Sequence, residues 1–347
     1  MQKESTARGE LLEVFREELR ELVNYKAGER LEFAKLTCLD VFFAYRMLLG
    51  RNPEFEDVAR FREWQSVGTP AELFNQMIKT PEYVARIPGG GGQLLDLIVM
   101  HELPNGLRLF FNLQDRQAMR IATGIHEPEI IEAVRRVLKP GMNCVDAGAH
   151  IGMYALEMAK IVGAGGGKVY AFEPFPSTWE LFIKNVAENH FEEVIVATKA
   201  GCHYDSGSAQ IFNPISDDMG GAFIPKDAEI ANASGLQGFR IELVRADSIV
   251  PDDRKIDLVK MDIEGSEPFA LRGMERFIRR DRPIIITEFN PSCIRDMNKS
   301  EPQEYIALLR SFGYRLFEID EYLKPSPREY RYDGGVNVTN LVCIALD

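Results

Sequence analysis

Asn143-Cys144-Val145-Asp146-Ala147-Gly148-Ala149-His150-Ile151-Gly152, with Lys168-Val169-Tyr170-Ala171-Phe172-Glu173-Pro174 at the next apolar run, decides the fold. The first stretch reads as a buried strand, a glycine turn and the start of a helix. The second reads as another buried strand that ends in an acid. A strand, glycine turn, helix, strand and acid in that order is how α/β proteins grip a nucleoside-containing cofactor. A dinucleotide site wants Gly-x-Gly-x-x-Gly against a pyrophosphate. Here the pattern is Asp-x-Gly-x-x-x-Gly, and an acid in the first turn would repel a pyrophosphate.

Such an acid suits a cofactor with a cationic centre and an ammonium group. S-adenosylmethionine has both, so the sequence reads as a methyltransferase. Gly148 would bring the backbone close to the cofactor with dihedrals that other residues avoid. Gly152 would let the next helix pack near the loop. Asp146 would orient the turn or accept a hydrogen bond from the aminoacyl part. Glu173 would take both ribose hydroxyls with its two oxygens. His150 would meet a carboxylate of cofactor or substrate, or be a solvated turn residue.

The second dense motif is Asp257-Leu258-Val259-Lys260-Met261-Asp262-Ile263-Glu264-Gly265-Ser266-Glu267. It is a strand that runs into three acids around a glycine. Ligands of open α/β sheets bind at the carboxyl ends of strands, which puts Asp262, Glu264 and Glu267 beside the cofactor crevice. The strand Ile284-Ile285-Ile286-Thr287-Glu288-Phe289-Asn290 ends in polar groups at the same edge. Clustered carboxylates repel and need a reason. One is a general base among Asp262, Glu264 and Glu288, the catalytic candidates. A second is a divalent metal on Asp262, Glu288 and Asn290. A third is helix capping by Glu264 and Glu267. His126 and Glu127 precede the helix leading to the cofactor strand and are candidates to line the pocket, with capping the expected role of Glu127. His101, His190 and His203 have no ligand spacing.

The 347 residues suggest two domains or one large one, and 45% hydrophobic content suffices for a proper core. Of the net charge of −12, only −2 falls in residues 1–92, which hold 13 Lys+Arg and 15 Asp+Glu. An acidic catalytic region is poor material for gripping a phosphate backbone, so no nucleic-acid substrate is expected. The five cysteines, Cys38, Cys144, Cys202, Cys293 and Cys343, form no Cys-x-x-Cys pair and read as free thiols in a reducing, cytoplasmic setting. Met1-Gln2-Lys3-Glu4-Ser5 lacks the apolar core of a signal peptide, and no run approaches a membrane span.

Residues 1–88 read as a small helical accessory domain, 89–93 as a glycine-rich linker and 94–347 as the methyltransferase domain. In the first, Leu11, Leu12, Phe15, Leu19, Leu22 and Val23 recur at helical spacing. Strands are expected at 143–147, 168–172, 194–200, 256–262, 283–288, 314–319 and 341–346. Helices are expected at 151–162, 177–189, 266–279 and 302–312, and another from Glu127 to about Leu138. This alternation is the mark of a mainly parallel sheet. The segment 207–246 breaks it and reads as a hairpin or flap near the site.

Ile125-His126-Glu127-Pro128, the run Val145–Gly152, Phe172-Glu173-Pro174 and Lys260–Glu267, in this order, resemble the FkbM family of methyltransferases. The likeness covers roughly residues 105–346. His150 departs from it, since the family more often has Asn there. The resemblance implies a class I Rossmann-like α/β fold with helices on both sheet faces, S-adenosylmethionine as donor, and methylation of a hydroxyl in a sugar, polyketide or other secondary metabolite. Tyr45-Arg46-Met47-Leu48-Leu49-Gly50-Arg51, Pro53 and Thr80-Pro81-Glu82-Tyr83 resemble a helical domain attached to glycan-modifying enzymes. That favours a sugar acceptor and makes the helical domain a candidate self-association surface.

Overall fold

A computed structural model describes residues 98–103, 105–112, 115, 117, 121, 126–212, 224, 238–296 and 300–346. The helical segment and the glycine linker expected from sequence, and residues 213–223 and 225–237 of the polar stretch within 207–246, lie outside the described residues. The chain divides into two compact units, residues 1–101 with 112–114 and residues 102–111 with 115–347. The strands are β1 (Ile98–Glu102), β2 (Arg108–Asn112), β3 (Cys144–Ala147), β4 (Val169–Phe172), β5 (Ile195–Thr198), β6 (Gly201–Cys202), β7 (Gly207–Phe212), β8 (Gly238–Val244), β9 (Leu258–Met261), β10 (Ile284–Phe289), β11 (Tyr314–Glu318) and β12 (Thr339–Ala345).

Seven of them form one sheet in the order β11-β12-β10-β9-β3-β4-β5. The chain runs outward from β3 through β4 to β5, then returns to build β9 and β10 on the other side of β3. Pairings among these five are parallel, and β12 runs antiparallel between β10 and β11. The order reverses between β3 and β9. That switch point is where an open α/β sheet leaves a crevice at its carboxyl edge.

All seven expected main strands are present, each shifted by no more than two residues at either end. They read as near-continuous apolar runs because parallel strands are buried on both faces: every residue of β3, β4 and β9 is buried. One face packs Val145, Ala147, Tyr170, Phe172, Val259 and Met261 into a core with Ala270, Leu271, Phe277 and Leu309 of the following helices. On the other face the helix Met153–Val162 covers β3 and β4.

The helix expected over 266–279 is two helices, Glu267–Gly273 and Glu275–Asp281. Gly273 marks the break: a Cβ there would lie 2.1 Å from the His203 carbonyl oxygen. The expected hairpin is present. β7 pairs antiparallel with β8, and β6 joins β8 in a separate three-stranded sheet. Cys144, Cys202 and Cys343 are buried free thiols, and Cys293 is a half-buried one. Among the described residues no helix is long and apolar enough to cross a membrane.

Candidate active site

The cleft lies at the carboxyl ends of β3, β4 and β9. With its open mouth and the solvent space in front of it, it takes in about 860 Å³. Gly148, Ala149 and His150 form one side, and Glu173 and Phe175 another. Lys260, Asp262 and Glu264 form a third, and Ile211 and Ile224 from the hairpin region complete the lining. The expectation that residues 207–246 reach the site agrees with this.

The turn after β3 is wound tightly by its own backbone. Gly148 has φ +85° and His150 φ +52°. The N–H groups of Gly148 and Ala149 both donate to the Phe172 carbonyl at 3.0 Å, and Gly152 donates to Ala149. The His150 N–H donates to Glu173 Oε2 at 2.7 Å. These amides are already engaged, so the turn does not offer the cradle of N–H groups that a pyrophosphate requires. That agrees with reading the acid-containing pattern as something other than a dinucleotide site.

The two glycines of the motif owe their place to close packing inside the protein. A Cβ on Gly148 would sit 2.0 Å from the Asp262 carbonyl oxygen, and one on Gly152 would sit 2.6 Å from the Phe182 ring. Gly148 thus brings the β3 and β9 turns together. Gly152, at φ +98°, starts the helix Met153–Val162 against its neighbour.

Glu173 is buried and held by three donors. Oε1 accepts from the Phe175 N–H and the Thr178 hydroxyl, both at 2.8 Å, and Oε2 accepts from His150. Burial raises its pKa, with His150 and these hydrogen bonds opposing. Oε1 is therefore filled, and Oε2 keeps one acceptor position.

Asp146 is fully buried and absent from the cleft lining. No short hydrogen bond reaches either carboxylate oxygen; the groups that favour its charged form are Lys260 Nζ at 3.8 Å and the Ala155 backbone N–H. Burial pushes its pKa up to about 6 despite the lysine. Lys260 is the residue that the sequence reading left without a role. Its Nζ lies 3.4 Å from the Gly148 carbonyl, 3.5 Å from Asp262 Oδ2 and 4.5 Å over the Tyr154 ring. Burial alone would lower its pKa, but Asp262, Asp146 and Glu127 outweigh it, and the pKa is raised. Lys260 is thus a buried ammonium that fastens both turns.

The acids of the second motif separate. Asp262 and Glu264 line the cleft; Glu267 and Glu288 are not among its lining residues. Glu267 reaches back to the Ile263 N–H at 2.8 Å with Oε1. Its Oε2 is buried without a partner, and burial pushes it up to about 7. Glu288 Oε2 is likewise buried and unpartnered. Burial, then Glu264 and Asp262, drive its pKa well above the ordinary carboxylate range. The expected metal set of Asp262, Glu288 and Asn290 is not formed. Asn290 Oδ1 instead accepts the Cys293 N–H at 3.1 Å. Among the described residues no three His, Cys, Asp or Glu side chains are arranged to hold a metal ion.

Glu127 corrects another expectation. It stands at the N-cap of the helix Pro128–Val137 with φ 42° but makes no side-chain cap bond. Its carboxylate accepts from the Tyr154 hydroxyl at 2.7 Å and from Asn340 Nδ2 at 2.9 Å, and lies 3.3 Å from His126 Nε2. His126 lines the cleft. Its pKa is lowered, chiefly by burial, with Glu127 opposing.

Residues 146–316 match the model of the methyltransferase FkbM domain. The chain is 25% identical to "Methyltransferase sdnD" of Sordaria araneosa, over 44% of this chain and 68% of that protein. It is 28% identical to "Methyltransferase 1" of Beauveria bassiana (strain ARSEF 2860), over 38% of this chain and 57% of that one. Among solved structures it is similar to a methyltransferase FkbM from Methylobacillus flagellatus KT, at 19% identity and a TM-score of 0.36, covering 65% of this chain and 53% of the other.

Proposed function

Because residues 146–316 carry a methyltransferase FkbM domain, we propose that this protein methylates a sugar hydroxyl of a glycan or glycosylated small molecule, with S-adenosylmethionine as donor. The observation that carries the reading is the pairing of an amide-satisfied turn with a pre-oriented carboxylate, Glu173, at the end of the next strand. The residues present suit that donor: an acceptor position on Glu173 Oε2 for a ribose hydroxyl, apolar surface on Phe175 and Ile211, and acids near a cationic centre. Glu173 would take one ribose hydroxyl through Oε2, not both as its two oxygens first suggest. When bound, the donor supplies an electrophilic methyl group on a sulfonium.

The chain's own work is to hold the acceptor in line and to take its proton. Most of the acceleration in such a transfer comes from holding the two reactants in that geometry. A sugar hydroxyl is a weak acid, and Asp262 is the group we assign to remove its proton as the new bond forms. It lines the cleft and has Lys260 at 3.5 Å to balance its charge. Glu264, two residues on, lines the cleft as well. Glu288 serves at one remove, by holding a proton behind the two.

The test is release of S-adenosylhomocysteine from S-adenosylmethionine over nucleotide sugars, oligosaccharides and aglycone hydroxyl compounds. Turnover on a sugar is the expected result. Asp262→Asn should lower kcat by roughly 10²-fold with S-adenosylhomocysteine affinity kept; full turnover would remove the base assignment. Activity on aglycone hydroxyls alone would move the acceptor to a polyketide-like class. No affinity for S-adenosylhomocysteine would leave a scaffold that keeps the fold without the chemistry.

A further inference from the structure

A second cavity adjoins the cleft and shares Ile121, His126 and Met153 with it. With its open mouth it takes in about 960 Å³. Leu103, Leu107, Pro128 and Ile131 give it apolar walls. Two helices carry the lining away from the shared residues. Along one, Pro128 leads to Ile131 and Arg135; along the other, Met153 leads to Glu157. At a rise of about 1.5 Å per residue, the walls extend roughly 6–10 Å beyond the junction. They end on a fixed polar pair. Glu157, only 4% exposed, accepts Arg135 Nε and Asn105 Nδ2, each at 2.6 Å. With Nε engaged, Arg135 still carries donors on its terminal nitrogens.

We propose that this cavity is the acceptor's second subsite and takes the apolar aglycone of a glycosylated small molecule, with a hydroxyl or carbonyl of that aglycone on Arg135. The inference rests on the reading of the cleft as a sugar-methylating site and sharpens its acceptor class. An acceptor that enters from this side passes His126 and Met153, so its sugar reaches the cleft while its body stays on the apolar walls. A polysaccharide would present hydroxyls to Leu103, Leu107 and Ile131, which cannot hydrogen-bond them. An apolar body gains by leaving water there.

The experiment compares an aryl glycoside with the methyl glycoside of the same sugar, by turnover and by calorimetric titration into protein saturated with S-adenosylhomocysteine. The wild type should bind the aryl glycoside about tenfold more tightly, the effect of burying a fraction of one ring. Ile131→Trp, at a half-buried position on the cavity wall, should abolish that preference, with affinity for the methyl glycoside and S-adenosylhomocysteine unchanged. Unchanged S-adenosylhomocysteine affinity also shows that the variant folds. Equal binding of the two glycosides by the wild type, or an aryl preference that survives Ile131→Trp, would overturn the proposal. Aryl-selective binding lost in the variant, without methyl transfer to any sugar, would keep the subsite and defeat the sugar-methylation reading instead.

Discussion

The turn after β3 and the turn after β9 sit side by side at one edge of the sheet, and both pass through left-handed backbone, at Gly148 and His150 in one and Glu264 and Gly265 in the other. They treat their acids in opposite ways. Beside the first, Glu173 is met by three donors. Beside the second, Glu267 and Glu288 each keep a buried oxygen with no partner. A carboxylate with donors around it is fixed and ready to accept a ligand's hydroxyl. Crowded, buried carboxyls hold on to protons instead. The first turn is therefore suited to binding and the second to holding protons, and Lys260 between them faces both Asp146 and Asp262.

The largest effect should come from removing the contact that joins the two turns. Gly148→Ala puts a Cβ where the Asp262 carbonyl oxygen stands, at a φ of +85°. Because backbone meets backbone, neither side can swing away. We expect a loss of about 3 kcal/mol or more in urea unfolding and no measurable S-adenosylhomocysteine binding. A variant that binds normally would mean that the turns are not tied to each other.

Next is Lys260→Met, which removes the cation facing Asp146 and Asp262 and leaves Glu127, Tyr154 and His126 around an apolar chain. Breaking a buried pair by deleting one partner costs about 3 kcal/mol. The loss should be larger at pH 8 than at pH 5. Asp146 already titrates near 6 and would simply be protonated at the lower pH. Unfolding at both pH values decides it: an equal loss would make Lys260 a packing residue only.

Lys260 also marks the limit of what the sequence made legible. The strands could be read because parallel strands buried on both faces appear as apolar runs, and the cofactor acid because it follows such a run. A lysine between Val259 and Met261 looks like an incidental charge until β3 and β9 are known to be neighbours. Their parallel register sets Asp146 opposite Lys260, on one face of the sheet. There was a signal: a central strand has no solvated face, so two lone charges in two such strands must find each other. Glu127 failed for a related reason. Its local pattern says cap, but Tyr154 and Asn340, distant in sequence, take its oxygens.

A smaller effect tests the binding turn alone. Glu173→Ala removes the acceptor of the His150 N–H, the Phe175 N–H and the Thr178 hydroxyl together with the proposed ribose contact. We expect S-adenosylhomocysteine affinity to fall roughly tenfold to hundredfold, the value of one charge-assisted hydrogen bond. Unchanged affinity in calorimetry would place the ribose elsewhere.

The smallest effect has the clearest sign. Glu267 is raised from 4.5 to about 7 in the folded protein. A carboxyl raised by folding binds its proton more tightly in the native state, so its stabilising share is complete below the unfolded value and is lost as pH rises through about 7. Asp146 and Glu288 are raised as well and act in the same direction. Stability should therefore decline from pH 5 to pH 8. Glu267→Gln keeps an oxygen for the Ile263 N–H and cannot ionise. It should be about 1 kcal/mol more stable than the wild type at pH 8, with no gain at pH 4. The effect is modest because Glu288 stays in the cluster and still has its own proton to lose. A gain of equal size at both pH values would point to packing. No gain at pH 8 would mean that Glu267 is not charged there in the wild type, and the proton store would then rest on Glu288 alone.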